Sequence, residues 1–170
     1  VGGDTLFCDL EAVYASLPPA LKSRLDRAVA HYDLLFERRL ARFRGLPEAE
    51  AMALAPDPLL EMPLVTRPGR GAKVLFLNPA FLVGIKGLPE DEWRSIAADL
   101  RARIDRPEFQ CRHRWQTDDV ALWDNHTCLH YATNDYWPRE RLMERVTVVD
   151  EVGASFLEEG VDLECRSATA

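Results

Sequence analysis

Apolar positions recur at helical spacing in the first part of the chain and alternate with a period of two over much of the second half. The segment TLFCDL, residues 5–10, follows the Gly2-Gly3 turn and predicts a short strand. Behind Pro18-Pro19, Leu21, Leu25, Val29 and Tyr32 predict one continuing helix. Residues 34–43, LLFERRLARF, read as a further helix or a charged connection. Residues 45–63 hold four prolines and no firm periodicity, which predicts a long loop or lid with one helical turn. PLVTRP and KVLFLN flank Gly69-Arg70-Gly71 and predict a hairpin.

A helix is predicted from Pro89 to about Ile104, with Trp93, Ile96, Ala97, Leu100 and Ile104 as its apolar face. Glu90, Asp91 and Glu92 in its first turn and Arg101 and Arg103 in its last suit the helix dipole. FQCRHRW, residues 109–115, alternates as a strand with Phe109, Cys111, His113 and Trp115 on one face. VALWD (120–124) and RVTVVD (145–150) predict two more strands. No internal repeat or low-complexity segment is visible, so the expectation is one strand-rich domain over residues 1–170 with helices packed outside it.

Composition narrows the class of function. The chain has 170 residues, enough for one domain with a core, and 47% hydrophobic with 29% charged residues is ordinary for a globular protein. A net charge of -7 argues mildly against nucleic acid as a partner, since domains that bind it usually show a basic face. Four cysteines, Cys8, Cys111, Cys128 and Cys165, form no CXXC pair or disulfide pattern, which suits a reducing cytoplasm. No apolar run approaches the ~18–20 residues that span a bilayer, so no membrane partner is expected. The abrupt opening, VGGDTLF without an initiator Met, suggests a piece of a longer polypeptide.

The candidate chemistry gathers in ALWDNHTCLHYATNDY, residues 121–136, where His126 and His130 stand four apart. Arg141 follows His130 by eleven residues and Arg145 lies four further on. In an extended strand, positions 141 and 145 share a face, so both guanidiniums could enter one pocket. Arginine binds a carboxylate through two parallel hydrogen bonds and keeps its charge, so histidine beside arginine fits a metal and an organic acid. A lone histidine near arginine is more often structural. His126, Cys128 and His130 also suggest a zinc clip, although nothing completes its tetrahedral set. Trp115 and Trp123 fit a core filling or a pocket wall.

GGDTLF, LFLNPAF and RHRWQTDDVALWDNHTCLHYATNDY with RERLMERVTV occur in this order along nearly the whole chain. Together they resemble the taurine dioxygenase and 2,4-dichlorophenoxyacetate dioxygenase family of Fe(II)- and 2-oxoglutarate-dependent oxygenases. The resemblance implies a distorted double-stranded β-helix, or jelly roll, with flanking helices. It also implies an iron site of two histidines and one carboxylate, with 2-oxoglutarate as cosubstrate and molecular oxygen as oxidant.

Within that resemblance His130 matches the distal iron ligand. Thr5 and Arg141 match the pair that holds the distal carboxylate of 2-oxoglutarate, and Arg145 matches an arginine that meets the substrate's acid group. His126 stands where the family commonly has Arg, so it is expected beside the site rather than on the metal. Met62 replaces a common His. The family's first histidine and carboxylate come from an H-x-D/E motif upstream of Gly-Gly-Asp-Thr, and the chain itself is expected to contain no such triplet. The implied activity is hydroxylation of a small anionic organic substrate with release of succinate and carbon dioxide. The rivals are a binding or structural protein that keeps the fold without a complete iron site, and a zinc hydrolase. The expected partner is the small anion, and association into a homo-oligomer is compatible with the sequence.

Overall fold

The computed structural model describes residues 2–33, 45, 47, 59–69 and 71–148. The chain divides into two units, Val1–Trp137 and Pro138–Ala170. Every helix and strand among the described residues lies in the first, and the described part of the second, 138–148, is irregular backbone.

Strand β1 (Thr5–Asp9) runs directly into helix α1 (Leu10–Ala15). Asp9 makes this junction: it is still extended, and its Oδ1 accepts the Ala12 N–H at 2.9 Å, capping the helix. Helix α2 (Pro19–Leu25) starts on a proline, whose missing N–H costs nothing at a first turn. Strands β2 (Val29–Tyr32), β3 (Leu60–Pro63), β4 (Val65–Thr66), β5 (Val74–Leu75) and β6 (Leu82–Ile85) follow. Helix α3 (Glu90–Ile104), a 3₁₀ turn (Pro107–Phe109), β7 (Gln110–His113) and β8 (Cys128–Ala132) complete the order. Among the described residues the strands form three antiparallel sheets, β7-β1-β8, β3-β2-β6 and the hairpin β4-β5.

Helix α3 and the β4-β5 hairpin fall where the hydrophobic pattern places them. Ile96, Leu100 and Ile104 are buried on the inner side of α3, and Arg94–Glu90 (2.7 Å) and Arg103–Asp99 (3.1 Å) pair at i,i+4 outside. Val13 of α1, Leu25 of α2, Leu64, Leu75 and Leu100 are fully buried, so the core lies where α1 meets β5 and α3. Among the described residues no helix is long and apolar enough to cross a membrane.

Five sequence expectations are corrected. Val29–Tyr32 does not continue α2: the helix closes at Leu25, and Ala28 N–H turns back to Leu25 O at 3.0 Å. Ala30 and Tyr32 are then buried while Val29 and His31 are half-buried, a period of two that suits the central strand of β3-β2-β6. Leu60–Pro63, at the end of the expected loop, is a strand because it pairs with β2. The strand expected over 109–115 is shorter, since Phe109 belongs to the 3₁₀ turn and pairing stops at His113.

VALWD is not a strand, and neither is the described part of RVTVVD. Val120 and Leu122 are 93% and 94% exposed. Alternation favours an extended backbone, but a strand also needs an edge to take its hydrogen bonds. Among the described residues no ladder includes 120–124 or 141–148. The segment 34–43, most of the loop before Leu60, Asp150 and Cys165 lie outside the described residues.

Candidate functional site

The register of the β7-β1-β8 sheet builds the candidate site. Thr5 stands opposite His113 on β7 and Ala132 on β8, and Phe7 stands opposite Cys111 and His130. Residues directly opposite in antiparallel strands share a face. Thr5, Phe7, His113 and His130 therefore occupy one face of the sheet, with Thr5 and His130 displaced by one strand and two residues. Two residues along a strand are about 6.6 Å.

Aromatic rings brace His130. Its imidazole lies 5.0 Å from the Trp123 ring and 6.4 Å from Phe7, and Phe7 and Trp123 are themselves 5.2 Å apart. The Trp123 Nε1–H donates to Asn125 Oδ1 at 2.8 Å, which fixes the indole's turn. His130 is exposed on this face. His126 is exposed too, but it sits in the turn before β8, where its backbone N–H donates to Asp124 Oδ1 at 2.8 Å.

Thr5 is different: it is only 4% exposed, and its Oγ1 accepts the Trp115 Nε1–H at 2.9 Å. Trp115 stands edge-on to His113 with centroids 4.5 Å apart and planes at 86°. His113 Nε2 lies 3.1 Å from Asp119 Oδ2, within ion-pair distance but off the line of a hydrogen bond.

A clasp behind this face holds the start of β1 against the end of β8. Asp135 Oδ1 accepts the Gly3 N–H and the Thr133 hydroxyl, each at 2.8 Å, and Thr133 N–H donates to Asp4 O at 2.9 Å. Arg112 reaches Asp4 at 2.6 Å and Asp135 at 3.5 Å. Gly2 has φ +117, and a Cβ there would meet Asp135 O at 2.6 Å, so only glycine fits. The Gly3 N–H, then the Thr133 hydroxyl, hold the Asp135 carboxyl below its ordinary 3.8.

A depressed carboxylate favours the folded clasp above the unfolded pKa, and the contribution disappears as pH falls through the folded one. Protection of the Gly3 amide against hydrogen exchange is therefore expected to drop on acidification below pH 3.8. In Asp135→Asn that acid-dependent drop should be absent. A Gly3 protection factor with the same pH profile in both proteins would exclude Asp135 as the cause.

Met62 lies on β3, where it packs against the core. Arg141 and Arg145 belong to the second unit; Arg141 is half-buried and Arg145 exposed, both in irregular backbone. The shared-face argument for the two arginines fails there, because a common face needs strand geometry.

The expectation of no H-x-D/E triplet is corrected by His31-Tyr32-Asp33. This triplet starts in β2, in the β3-β2-β6 sheet, where Ala30 and Tyr32 enter the core and His31 Nε2 lies 3.2 Å from Glu61 Oε1. Among the described residues no three His, Cys, Asp or Glu side chains gather as a metal would require. That excludes a zinc clip of His126, Cys128 and His130 in this structure, and equally a joint site of His31, Asp33 and His130. Burial pushes the Cys8 thiol up to about 12 and also raises that of Cys128, which disfavours the thiolate at both.

The Trp115–Thr5 contact and the Asp135 clasp were not among the sequence-derived candidates. Phase along the strand was the available signal for Trp115, since it continues the face of Cys111 and His113. Nothing local marked Asp135, whose partner Gly3 is 132 residues away.

A family model described as "Taurine catabolism dioxygenase TauD, TfdA family" matches residues 1–147. The alpha-ketoglutarate-dependent 2,4-dichlorophenoxyacetate dioxygenase of Cupriavidus pinatubonensis is 36% identical over 151 residues, 88% of this chain and 51% of that protein. An alkylsulfatase of Acinetobacter baylyi is 31% identical over 156 residues, 89% of this chain and 49% of that one. A crystal structure of a taurine dioxygenase from Burkholderia xenovorans matches with a TM-score of 0.67 at 28% identity, over 82% of this chain and 44% of that one. The chain spans about half the length of the curated relatives it matches.

Proposed function

The chain belongs to the taurine dioxygenase TauD/TfdA family, and from that premise we propose an Fe(II)- and 2-oxoglutarate-dependent dioxygenase of the jelly-roll fold acting on a small organic anion. The observation that carries this reading is the common face of β7-β1-β8, where His130 and the oriented Thr5 hydroxyl stand together. The overall reaction consumes oxygen, 2-oxoglutarate and a substrate C–H, and yields the hydroxylated product, succinate and carbon dioxide.

The described residues fit the cosubstrate better than the metal. A buried hydroxyl such as that of Thr5 is a suitable donor to a carboxylate. His130 offers one imidazole, but the described residues do not complete a facial set of three ligands. In the first unit Phe7 and Trp123 orient the His130 ring and Trp115 holds the Thr5 hydroxyl; the resemblance assigns Thr5 and Arg141 to the distal carboxylate and Arg145 to the substrate's acid. The names of the relatives point the same way, since one acts on an aryloxyacetate and another is an alkylsulfatase.

The test is succinate release by the whole protein with Fe(II), oxygen and 2-oxoglutarate, against a panel of aryloxyacetates, sulfonates and alkyl sulfates. Slow release without substrate, faster release with one class of anion and loss of both after chelation are expected. A protein that binds neither iron nor 2-oxoglutarate would instead be the non-catalytic form of the fold.

A further inference from the structure

The geometry points to Trp115 as a positioning residue that turns the Thr5 hydroxyl toward the distal carboxylate of 2-oxoglutarate; this rests on the function proposed above. An indole N–H only donates, whereas a threonine hydroxyl has one hydrogen to give and two lone pairs to receive with. At 2.9 Å the Trp115 hydrogen takes one lone pair of Thr5 Oγ1, so the hydroxyl's own hydrogen is turned away from the indole. Thr5 is β-branched and sits in the central strand of its sheet, which restricts its χ1. The contact therefore narrows the directions in which Thr5 can donate. It does so in a buried place, where a hydrogen bond to a charged oxygen is strong and a misdirected donor is costly.

Trp115 is itself held. It lies two residues beyond the end of β7, its ring stands edge-on to His113, and His113 is within 3.1 Å of Asp119. The indole thus links the Gln116–Asp119 turn to the first residue of β1, 110 positions away in the chain. Core packing alone would be served by any large ring. The N–H aimed at Thr5 is what packing does not require.

The experiment measures 2-oxoglutarate binding by calorimetry in the whole protein, loaded with redox-inert Mn(II) without oxygen, so that no turnover is read. Trp115→Phe, which keeps a ring but removes the N–H, should weaken binding about three- to tenfold, the range of one oriented hydrogen bond. In a Thr5→Val background the same substitution should cause no further loss, because the group it acts through is gone. Thr5→Ser should preserve the effect. If Trp115→Phe does not fold, 3-benzothienylalanine at position 115 keeps the bicyclic shape, replaces N–H with sulfur and is expected to give the same weakening. An unchanged dissociation constant, or an equal loss with and without the Thr5 hydroxyl, overturns the positioning role and leaves Trp115 a packing residue. Failure of the unsubstituted protein to bind 2-oxoglutarate overturns the underlying function instead, and this role with it.

Discussion

Replacing His130 with alanine is expected to reduce 2-oxoglutarate turnover by the whole protein more than about 100-fold. Loss of a group that merely orients a metal ligand costs about 10–100-fold, and loss of the ligand itself costs more. The structure supports His130 rather than His126 for this role. His130 is in the middle of β8, in register with Phe7, and its ring is set by Trp123 at 5.0 Å. Its exposure means that alanine leaves the core intact, so circular dichroism and melting temperature should change little. His126 is exposed in a turn held through its backbone by Asp124, so His126→Ala should keep most of the activity. Iron content and succinate formation, measured together, separate the two. A dead His126→Ala protein beside an active His130→Ala protein would reverse the assignment.

Arg141→Ala is the second large effect. Removing one partner of a desolvated charge pair costs about 2–5 kcal/mol, which exceeds the ~1.4 kcal/mol that corresponds to tenfold in affinity. The apparent affinity for 2-oxoglutarate should therefore fall at least about tenfold, and both the coupled and the uncoupled decarboxylation should suffer. Arg145→Ala should weaken the prime substrate and leave the slow uncoupled reaction. Succinate release with and without substrate distinguishes them. If Arg145→Ala abolishes the uncoupled reaction as Arg141→Ala does, Arg145 belongs to the cosubstrate. An unchanged 2-oxoglutarate titration in Arg141→Ala would remove Arg141 from the site.

By itself the sequence determined the features that depend on near neighbours. Helix α3 was legible because its apolar face repeats over four turns and both ends carry charges that suit the dipole. The β4-β5 hairpin was legible from its glycine-rich turn between apolar runs. Family membership was legible because its motifs lie in order along most of the chain.

Only the tertiary structure decided what depends on partners far away in sequence. Helical spacing of Leu21, Leu25 and Val29 looked continuous, but pairing with β3 and β6 made Val29–Tyr32 a strand. Val120 and Leu122 alternate as strand residues do, yet no ladder among the described residues takes them. His31-Tyr32-Asp33 spells a ligand motif, and its place in a different sheet separates it from His130. Trp115 donates to Thr5, and Asp135 holds Gly3, across more than a hundred residues. Periodicity reports which face of a local element is apolar; it contains no information about which edge or donor the folded chain brings to that face.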